Sequence, residues 1–173
     1  ITQLQVSRDT IPANTNPFKH RTEFINPVKE LFFVIQRTSV SNPFDYDHPS
    51  QILNNDNISY ENLQSLEITL DGEVMLNEKT GKFINLRAVQ SGIHHSRTQL
   101  FRRFYSYSFA LEPERWYPTG QRNFSMIKNQ NFNFDLNALS ENRELRVYAL
   151  SNNILEFKDG VAKLRFNSGK IGN

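Results

Sequence analysis

Two adjacent histidines, His94 and His95, are the residues of this chain with the clearest capacity for chemistry. Successive side chains on an extended strand point in opposite directions, so one metal ion rarely binds both. His20 and His48 lie far away in sequence, in segments that read as loops, and the chain has no cysteine. We therefore predict a hydrogen-bonded structural pair, no metal site and no cofactor.

Two pairs of carboxylates could in principle carry acid–base catalysis, which needs two acids held across a cleft. Glu112 and Glu114 flank Pro113, and Asp45 and Asp47 lie in a polar stretch. Both pairs are typical of solvated turns. The chain also lacks a G-x-S-x-G elbow and a glycine-rich phosphate loop. The sequence therefore predicts no enzyme.

Arginine and aromatic side chains gather in one part of the chain. Single-stranded nucleic acids bind to such clusters, protein interfaces are enriched in them, and they also occur on solvated sheet rims. The net charge of +2 is too balanced to indicate nucleic acid by itself. We favour a protein interface, with Trp116 packed in its own turn or against a neighbouring subunit, and the rim as the alternative. The cluster comprises Arg97, Arg102, Arg103, Arg115, Trp116 and Arg122.

The strand that must position this cluster spans residues 104–111, where large and small side chains alternate. Pro113, Pro118 and Gly120 then turn the chain, and residues 123–127 resume it. Further strands are predicted at 2–6, 31–35, 132–136 and 145–150, and in two hairpins, one joining 66–70 to 73–76 through Asp71-Gly72 and one around Asp159-Gly160. Residues 7–27 and 41–62 read as long loops, and 84–100 as a segment with one helical turn. About eight strands without a strong helix predict an all-β fold, an eight-stranded antiparallel jelly-roll sandwich.

The continuous apolar run at residues 31–35 indicates a strand covered on both faces. Leu31, Phe33 and Ile35 share one face, and Phe32 and Val34 share the other. We expect the first set to fill the space between the sheets. The second set would then be covered by a separate body rather than by the polar loop at 7–27.

The length of 173 residues suits a single domain, residues 1–173. No apolar stretch approaches the roughly 20 residues that span a bilayer, so no direct membrane insertion is expected. The first residue, Ile1, is not an initiator methionine, which suggests a processed chain or a piece of a longer one.

Several blocks, in order, resemble the major capsid proteins of nucleocytoplasmic large DNA viruses. They are NPVKELFFVIQ at 26–36, LEITLDGEVML at 66–76, Val89-Gln90 with His94-His95-Ser96-Arg97-Thr98, the run from Tyr107 to Ser125, and VYALSNNILEFKDGVAKLRF at 147–166. The longest block includes Pro113-Glu114, Pro118-Thr119-Gly120 and Asn123-Phe124-Ser125. It departs from the family at Arg115, Tyr117, Arg122 and residues 126–128, which is typical of a divergent branch.

The resemblance implies a structural protein of an icosahedral capsid, built as a double jelly roll that forms pseudo-hexameric trimers. This chain is similar to the C-terminal jelly roll, so the implied partners are further copies, the N-terminal jelly roll, neighbouring capsomers and minor capsid proteins. The implied location is the virion, with assembly in the host cytoplasm. The family signature marks a candidate subunit interface at Arg102, Arg103, Glu114, Arg115, Trp116, Tyr117 and Arg122.

One alternative remains open, a carbohydrate- or ligand-binding jelly-roll module. Such a module would use a shallow aromatic groove, with Tyr105, Trp116 and Tyr117 as candidate platforms. An enzyme on the same fold is the third interpretation.

Overall fold

The computed structural model describes residues 1–40, 61–97 and 103–166, and in them two antiparallel sheets face each other. The first sheet contains, in spatial order, β1 (Thr2–Ile11), β9 (Arg143–Asn152), β3 (Pro27–Arg37) and β6 (Phe104–Ser108), with β7 (Arg122–Asn123) beside β3. The second contains β2 (Phe18–Thr22), β8 (Gln130–Leu136), β4 (Leu63–Leu70) and β5 (Glu73–Leu76).

Most connections between successive long strands cross from one sheet to the other, which is jelly-roll topology. The predicted all-β antiparallel jelly roll is therefore confirmed. The strand number differs, because the described residues contain eleven strands, of which nine, including the short β7, form the two main sheets. The other two, β10 (Leu155–Lys158) and β11 (Val161–Leu164), form a separate hairpin.

The core lies between the sheets and is rich in aromatic rings. Phe33 on β3 is fully buried, with its ring centroid 5.8 Å from that of Phe132 and 5.9 Å from that of Phe134 on β8. Alternation explains this layer, since every second residue of β8 points inward. Other members include Ile11, Leu31, Ile35, Leu66, Ile68, Leu145 and Val147.

The run at residues 31–35 is covered within this chain, contrary to the expectation of a separate body. Val34 is 9% exposed, and the half-buried ring of Phe32 lies 6.0 Å from His95 and 6.3 Å from Phe104. His95, in the segment between β5 and β6, and Phe104, on β6, lie beside Phe32 on the outer face of the first sheet. The inference of a missing neighbour from this strand is therefore wrong.

Both predicted Asp-Gly hairpins are confirmed. Asp71 and Gly72 have φ angles of 49° and 87° between β4 and β5. Asp159 and Gly160 have φ angles of 52° and 77° between β10 and β11. Two successive positive φ values define the type I′ turn, whose twist matches that of the flanking strands.

The prediction of a loop over residues 7–27 is wrong, because β1 continues to Ile11 and β2 lies within the stretch. Hydrophobic periodicity missed these strands because several of their inward side chains are polar. His20 and Thr22 are buried, and Thr22 Oγ1 donates to Gln130 Oε1 at 2.8 Å. The predicted loop at 41–62 lies almost wholly outside the described residues.

The expected helical turn within residues 84–100 is confirmed as a π-helical turn, Asn85–Val89, that runs into α1 (Gln90–His94). The prediction of a strand at 123–127 is wrong, because after β7 the chain forms a 3-10 turn, Phe124–Met126. Asn123 Oδ1 accepts from the Ser125 backbone N–H at 3.2 Å, and this cap favours the turn over a strand. No helix in the described ranges is long and apolar enough to cross a bilayer.

Candidate functional site

The segment between β6 and β7, residues 109–121, is here called the Trp116 loop, and it begins at an irregularity. The backbone N–H groups of Phe109 and Ala110 both donate to Lys29 O, at 2.9 and 3.2 Å. Because two successive backbone donors share one carbonyl, the regular hydrogen-bond ladder between β3 and β6 is interrupted here, as in a β-bulge. The strand therefore ends at Ser108, not at Leu111 as predicted, and Leu111 is 75% exposed.

Two side chains outside the loop hold it at its start. Lys29 Nζ donates to Pro113 O at 2.7 Å, with Lys29 only 8% exposed. His94 Nδ1 lies 2.8 Å from Leu111 O, an acceptor, so this nitrogen carries the proton. The loop is therefore anchored to β3 and to the end of α1.

A second anchor is centred on His95, whose ring lies between two carboxylates. His95 Nε2 is 2.6 Å from Glu30 Oε1, and Nδ1 is 3.4 Å from Glu114 Oε1. Glu114 Oε2 also accepts from the Ser96 backbone N–H at 3.0 Å. Because each ring nitrogen faces an anion, the geometry favours the doubly protonated imidazolium.

The titration behaviour of this cluster follows from its contacts. The hydrogen bond to Glu30 raises the pKa of His95 above its ordinary value, against the opposing effect of burial. Hydrogen bonds from Ser96, and then the contact with His95, lower the pKa of Glu114. Both shifts favour the charged forms of the two side chains and therefore an ionic contact between them.

The prediction of a hydrogen-bonded histidine pair is confirmed. The structure brings together Lys29-Glu30, His94-His95 and Pro113-Glu114, three pairs that lie in separate sequence blocks. Among the described residues, no three His, Cys, Asp or Glu side chains form a group that could hold a metal ion. These three pairs of residues therefore hold β3, the end of α1 and the Trp116 loop together.

Trp116 is 93% exposed, and its ring lies edge-on to that of Tyr117 with centroids 5.3 Å apart. The prediction that Trp116 packs within its own turn is wrong. Hydrogen bonds close the turn instead, since Thr119 Oγ1 accepts from Glu112 N and donates to Glu112 O, at 2.9 and 3.0 Å. Packing of Trp116 against a neighbouring subunit stays a prediction.

The arginines of the predicted cluster have separate positions. Arg115 pairs with Glu112 at 3.1 Å, and Arg122 pairs with Glu73 at 2.5 Å. Arg103 is buried, at 7% exposure, and Arg102 lies outside the described residues. Of these three, Arg103 is buried, while Arg115 and Arg122 each pair with an acid and stay partly exposed.

The aromatic platform of the carbohydrate-binding alternative is absent from the described residues. Tyr105 is 1% exposed and donates to Glu61 Oε2 at 2.9 Å inside the chain. Trp116 and Tyr117 are inclined at 88°, so they present an edge and a face rather than one flat surface. The three rings proposed as platforms therefore do not form a common groove.

Sequence reasoning missed a hydrogen-bonded series of Ser7, His20 and Asp9. His20 Nε2 lies 2.9 Å from Ser7 Oγ, and Nδ1 lies 3.0 Å from Asp9 Oδ2. In a serine hydrolase the acid is buried, whereas the Asp9 side chain is 46% exposed and the histidine is buried. The group links the edge strands β1 and β2 of the two sheets. Ser7 and Asp9, two residues apart on a strand, were its only sequence signal.

Gly120 closes the Trp116 loop where no side chain fits. Its φ is 151°, and a Cβ there would lie 2.5 Å from Phe109 O. We expect Gly120→Ala to lower the free energy of unfolding by about 1–3 kcal/mol, measured by urea denaturation. Gly92→Ala in α1 is the matched control, because nothing lies within 4 Å of its Cβ. Equal destabilisation by both variants would contradict this account of the loop.

Comparisons with known sequences agree on one family. A family model described as large eukaryotic DNA virus major capsid protein matches residues 1–163. The major capsid protein of Phaeocystis pouchetii virus is 31% identical over 106 residues, which cover 59% of this chain and 20% of that protein. The major capsid protein of Pyramimonas orientalis virus is 26% identical over 190 positions, covering 97% of this chain and 42% of that protein. The chain thus spans less than half the length of these curated relatives.

Comparisons with solved structures concern the fold. A PBCV-1 virus capsid chain superposes with a TM-score of 0.80 at 20% identity, over 96% of this chain and 51% of that chain. The Faustovirus major capsid protein superposes with a TM-score of 0.66 at 12% identity, over 87% of this chain and 32% of that chain. These similarities establish that the chain has the fold of those capsid proteins.

Proposed function

Because the chain belongs to the large eukaryotic DNA virus major capsid protein family, we propose that it is a structural part of an icosahedral capsid. Its function is assembly: a rigid sandwich presents loops and sheet faces to neighbouring subunits. Closed symmetry repeats each weak contact several times, so modest contacts suffice for a stable shell. Family membership is the observation that carries this proposal.

The subunit contact that we propose is made by the Trp116 loop. Leu111, Trp116 and Tyr117 are exposed there, at 75%, 93% and 42%. Exposed tryptophan and tyrosine are the side chains most often found at the energetic centre of protein interfaces. The anchors from Lys29, His94 and His95 hold the loop in one conformation, which lowers the entropy lost on binding. Of the predicted interface set, Arg115 is also exposed.

A second contact is proposed for the outer face of the first sheet, with the N-terminal jelly roll of a longer protein as its partner. Leu4 and Val6 on β1 are 62% and 48% exposed. They pair in register with Leu150 and Tyr148 on β9, so all four share one face. Hydroxyl-radical footprinting of the full protein should find Leu4 and Val6 protected, and full reactivity there would reject this partner.

The proposed role includes no catalysis and no cofactor. The best acid–base cluster, around His95, is occupied by internal hydrogen bonds that hold the loop. We place this domain, residues 1–173, in the C-terminal half of a double jelly-roll protein, in the virion after assembly in the host cytoplasm. The proposed partners are other copies, neighbouring capsomers and minor capsid proteins, without nucleic acid or membrane insertion.

Sedimentation of the full protein tests the proposal. We expect the mass of a trimer at micromolar concentration, because a pseudo-hexameric capsomer contains two jelly rolls from each of three copies. A mass that stays monomeric over the accessible concentration range would contradict the assembly role. A melting shift caused by simple sugars, with no assembly, would favour the ligand-binding alternative.

A further inference from the structure

The contacts of His95 connect the Trp116 loop to the protonation state of one side chain. Glu30, on β3, is 1% exposed, and within the described residues His95 is the group bonded to its carboxylate. Glu114, at the other ring nitrogen, has a side chain that is 45% exposed. The imidazolium therefore joins a buried anion of the sheet to an exposed anion of the loop.

Loss of one proton would break one of these two contacts rather than both. Neutral imidazole has a single N–H, which can donate to one carboxylate while the other nitrogen presents a lone pair. Leaving Glu30 unpaired would strand a buried charge, whereas Glu114 can be solvated. The remaining N–H therefore stays with Glu30, at 2.6 Å, and the contact with Glu114, at 3.4 Å, is lost.

We propose that His95 is a pH-sensitive clasp that holds the Trp116 loop in its assembly-competent position while its ring is doubly protonated and releases the Glu114 segment when the ring loses a proton as the pH rises. The consequence for assembly rests on the proposed interface role of the loop. The clasp itself is a property of the isolated chain. The clasp would make the fixed shape of the proposed interface depend on pH.

The surrounding charges support this direction. Glu30 faces the ring from β3, and Glu112, Glu114 and Arg115 line the cleft beside it from the loop. Arg115 pairs with Glu112 and not with His95. The two groups that contact the His95 ring, Glu30 and Glu114, are both anions. The folded state thus raises the pKa of His95 above 6.5. The stabilisation is complete below the unfolded value and is lost as the pH rises through the folded value.

His94, the adjacent histidine, provides a matched control. Its Nδ1 donates to Leu111 O, and this donor is present in both the neutral and the charged ring. The contact of His94 with the loop therefore does not depend on the charge of the ring. A step that depends on His95 and not on His94 would separate the clasp from a general effect of histidine charge.

The chain contains one tryptophan, Trp116, which reports directly on the loop. The test is the fluorescence anisotropy of the 173-residue chain between about pH 5.5 and about pH 9, which avoids tyrosine ionisation. We expect a fall in anisotropy in one single-proton step centred above pH 6.5. His95→Gln and Glu114→Gln should each abolish the step, because neither can exchange an ionic contact for a neutral one. His94→Asn, which keeps a neutral N–H donor at the position of Nδ1 for Leu111 O, should retain it.

Each outcome decides the inference. Constant anisotropy in the wild type overturns it, as does a step that persists in His95→Gln or Glu114→Gln or that disappears in His94→Asn, where the donor to Leu111 O is kept. Circular dichroism checks that the variants fold. If His95→Gln does not fold, Glu114→Gln alone decides the inference, because its carboxylate is exposed and its replacement should be tolerated. A clear step together with unimpaired assembly of Trp116→Ala would reject the interface proposal and leave the clasp standing.

Discussion

Replacing Phe33 with alanine is expected to lower the free energy of unfolding by about 3–5 kcal/mol. The ring is fully buried on β3 and contacts Phe132 and Phe134 of the opposite sheet. Removing it would open a cavity between the two sheets that rigid strands cannot close.

Urea denaturation of the purified chain measures this change. Phe157→Ala is the matched control, because Phe157 on β10 is 75% exposed and its truncation should change stability by no more than about 0.5 kcal/mol. A loss below about 1 kcal/mol for Phe33→Ala would show that the aromatic layer between the sheets is not the core of the fold.

Trp116→Ala is expected to have its large effect on assembly and not on folding. The side chain is 93% exposed, with Tyr117 as its ring contact, so unfolding should change by less than about 0.5 kcal/mol. At the centre of an interface, loss of a tryptophan costs about 2 kcal/mol or more. That cost corresponds to a roughly 30-fold weaker contact at each repeat of the interface.

The measurement is the concentration dependence of capsomer and particle formation by the full protein, wild type and variant. Trp116→Phe is the control, since it keeps a large aromatic side chain and should retain most of the assembly. Normal assembly by Trp116→Ala would remove this loop from the interface. Loss of folding by Trp116→Ala would contradict the exposed position of the ring.

The sequence predicted those strands whose inward side chains are apolar. The alternation of Phe132, Phe134 and Leu136 and the two Asp-Gly turns led directly to β8 and to both hairpins. The strand β2 was not predicted, because two of its buried residues, His20 and Thr22, are polar and form hydrogen bonds instead of apolar contacts. Such partners lie on other strands, so hydrophobic periodicity cannot reveal them.

The candidate site was predicted in its parts but not in its connections. The histidine pair, Pro113-Glu114 and the apolar strand after Lys29-Glu30 were each recognised, yet 65 residues separate Glu30 from its partner His95. Only the three-dimensional fold brings them together. One sequence signal was available: an acid followed directly by an apolar strand is costly to bury and so requires a partner.

The end of β6 shows a second limit of pattern reasoning. Alternation continues to Leu111 in the sequence, but Lys29 O accepts two successive backbone donors and stops the strand at Ser108. The register of β3 against β9 also shifts beside this carbonyl, between Val28 and Glu30. Register irregularities of this kind depend on three strands at once, and no single segment encodes them.

Hydroxyl-radical footprinting of Trp116 tests the central claim, that this domain assembles into a capsid through its exposed loop. Oxidation of the peptide that contains Trp116 is compared between the isolated chain and capsomers or particles of the full protein. We expect high reactivity in the isolated chain, where Trp116 is 93% exposed, and strong protection in the assembly, with Val74 on β5 as an exposed internal reference. Equal oxidation of Trp116 in the isolated chain and in intact particles would contradict the account.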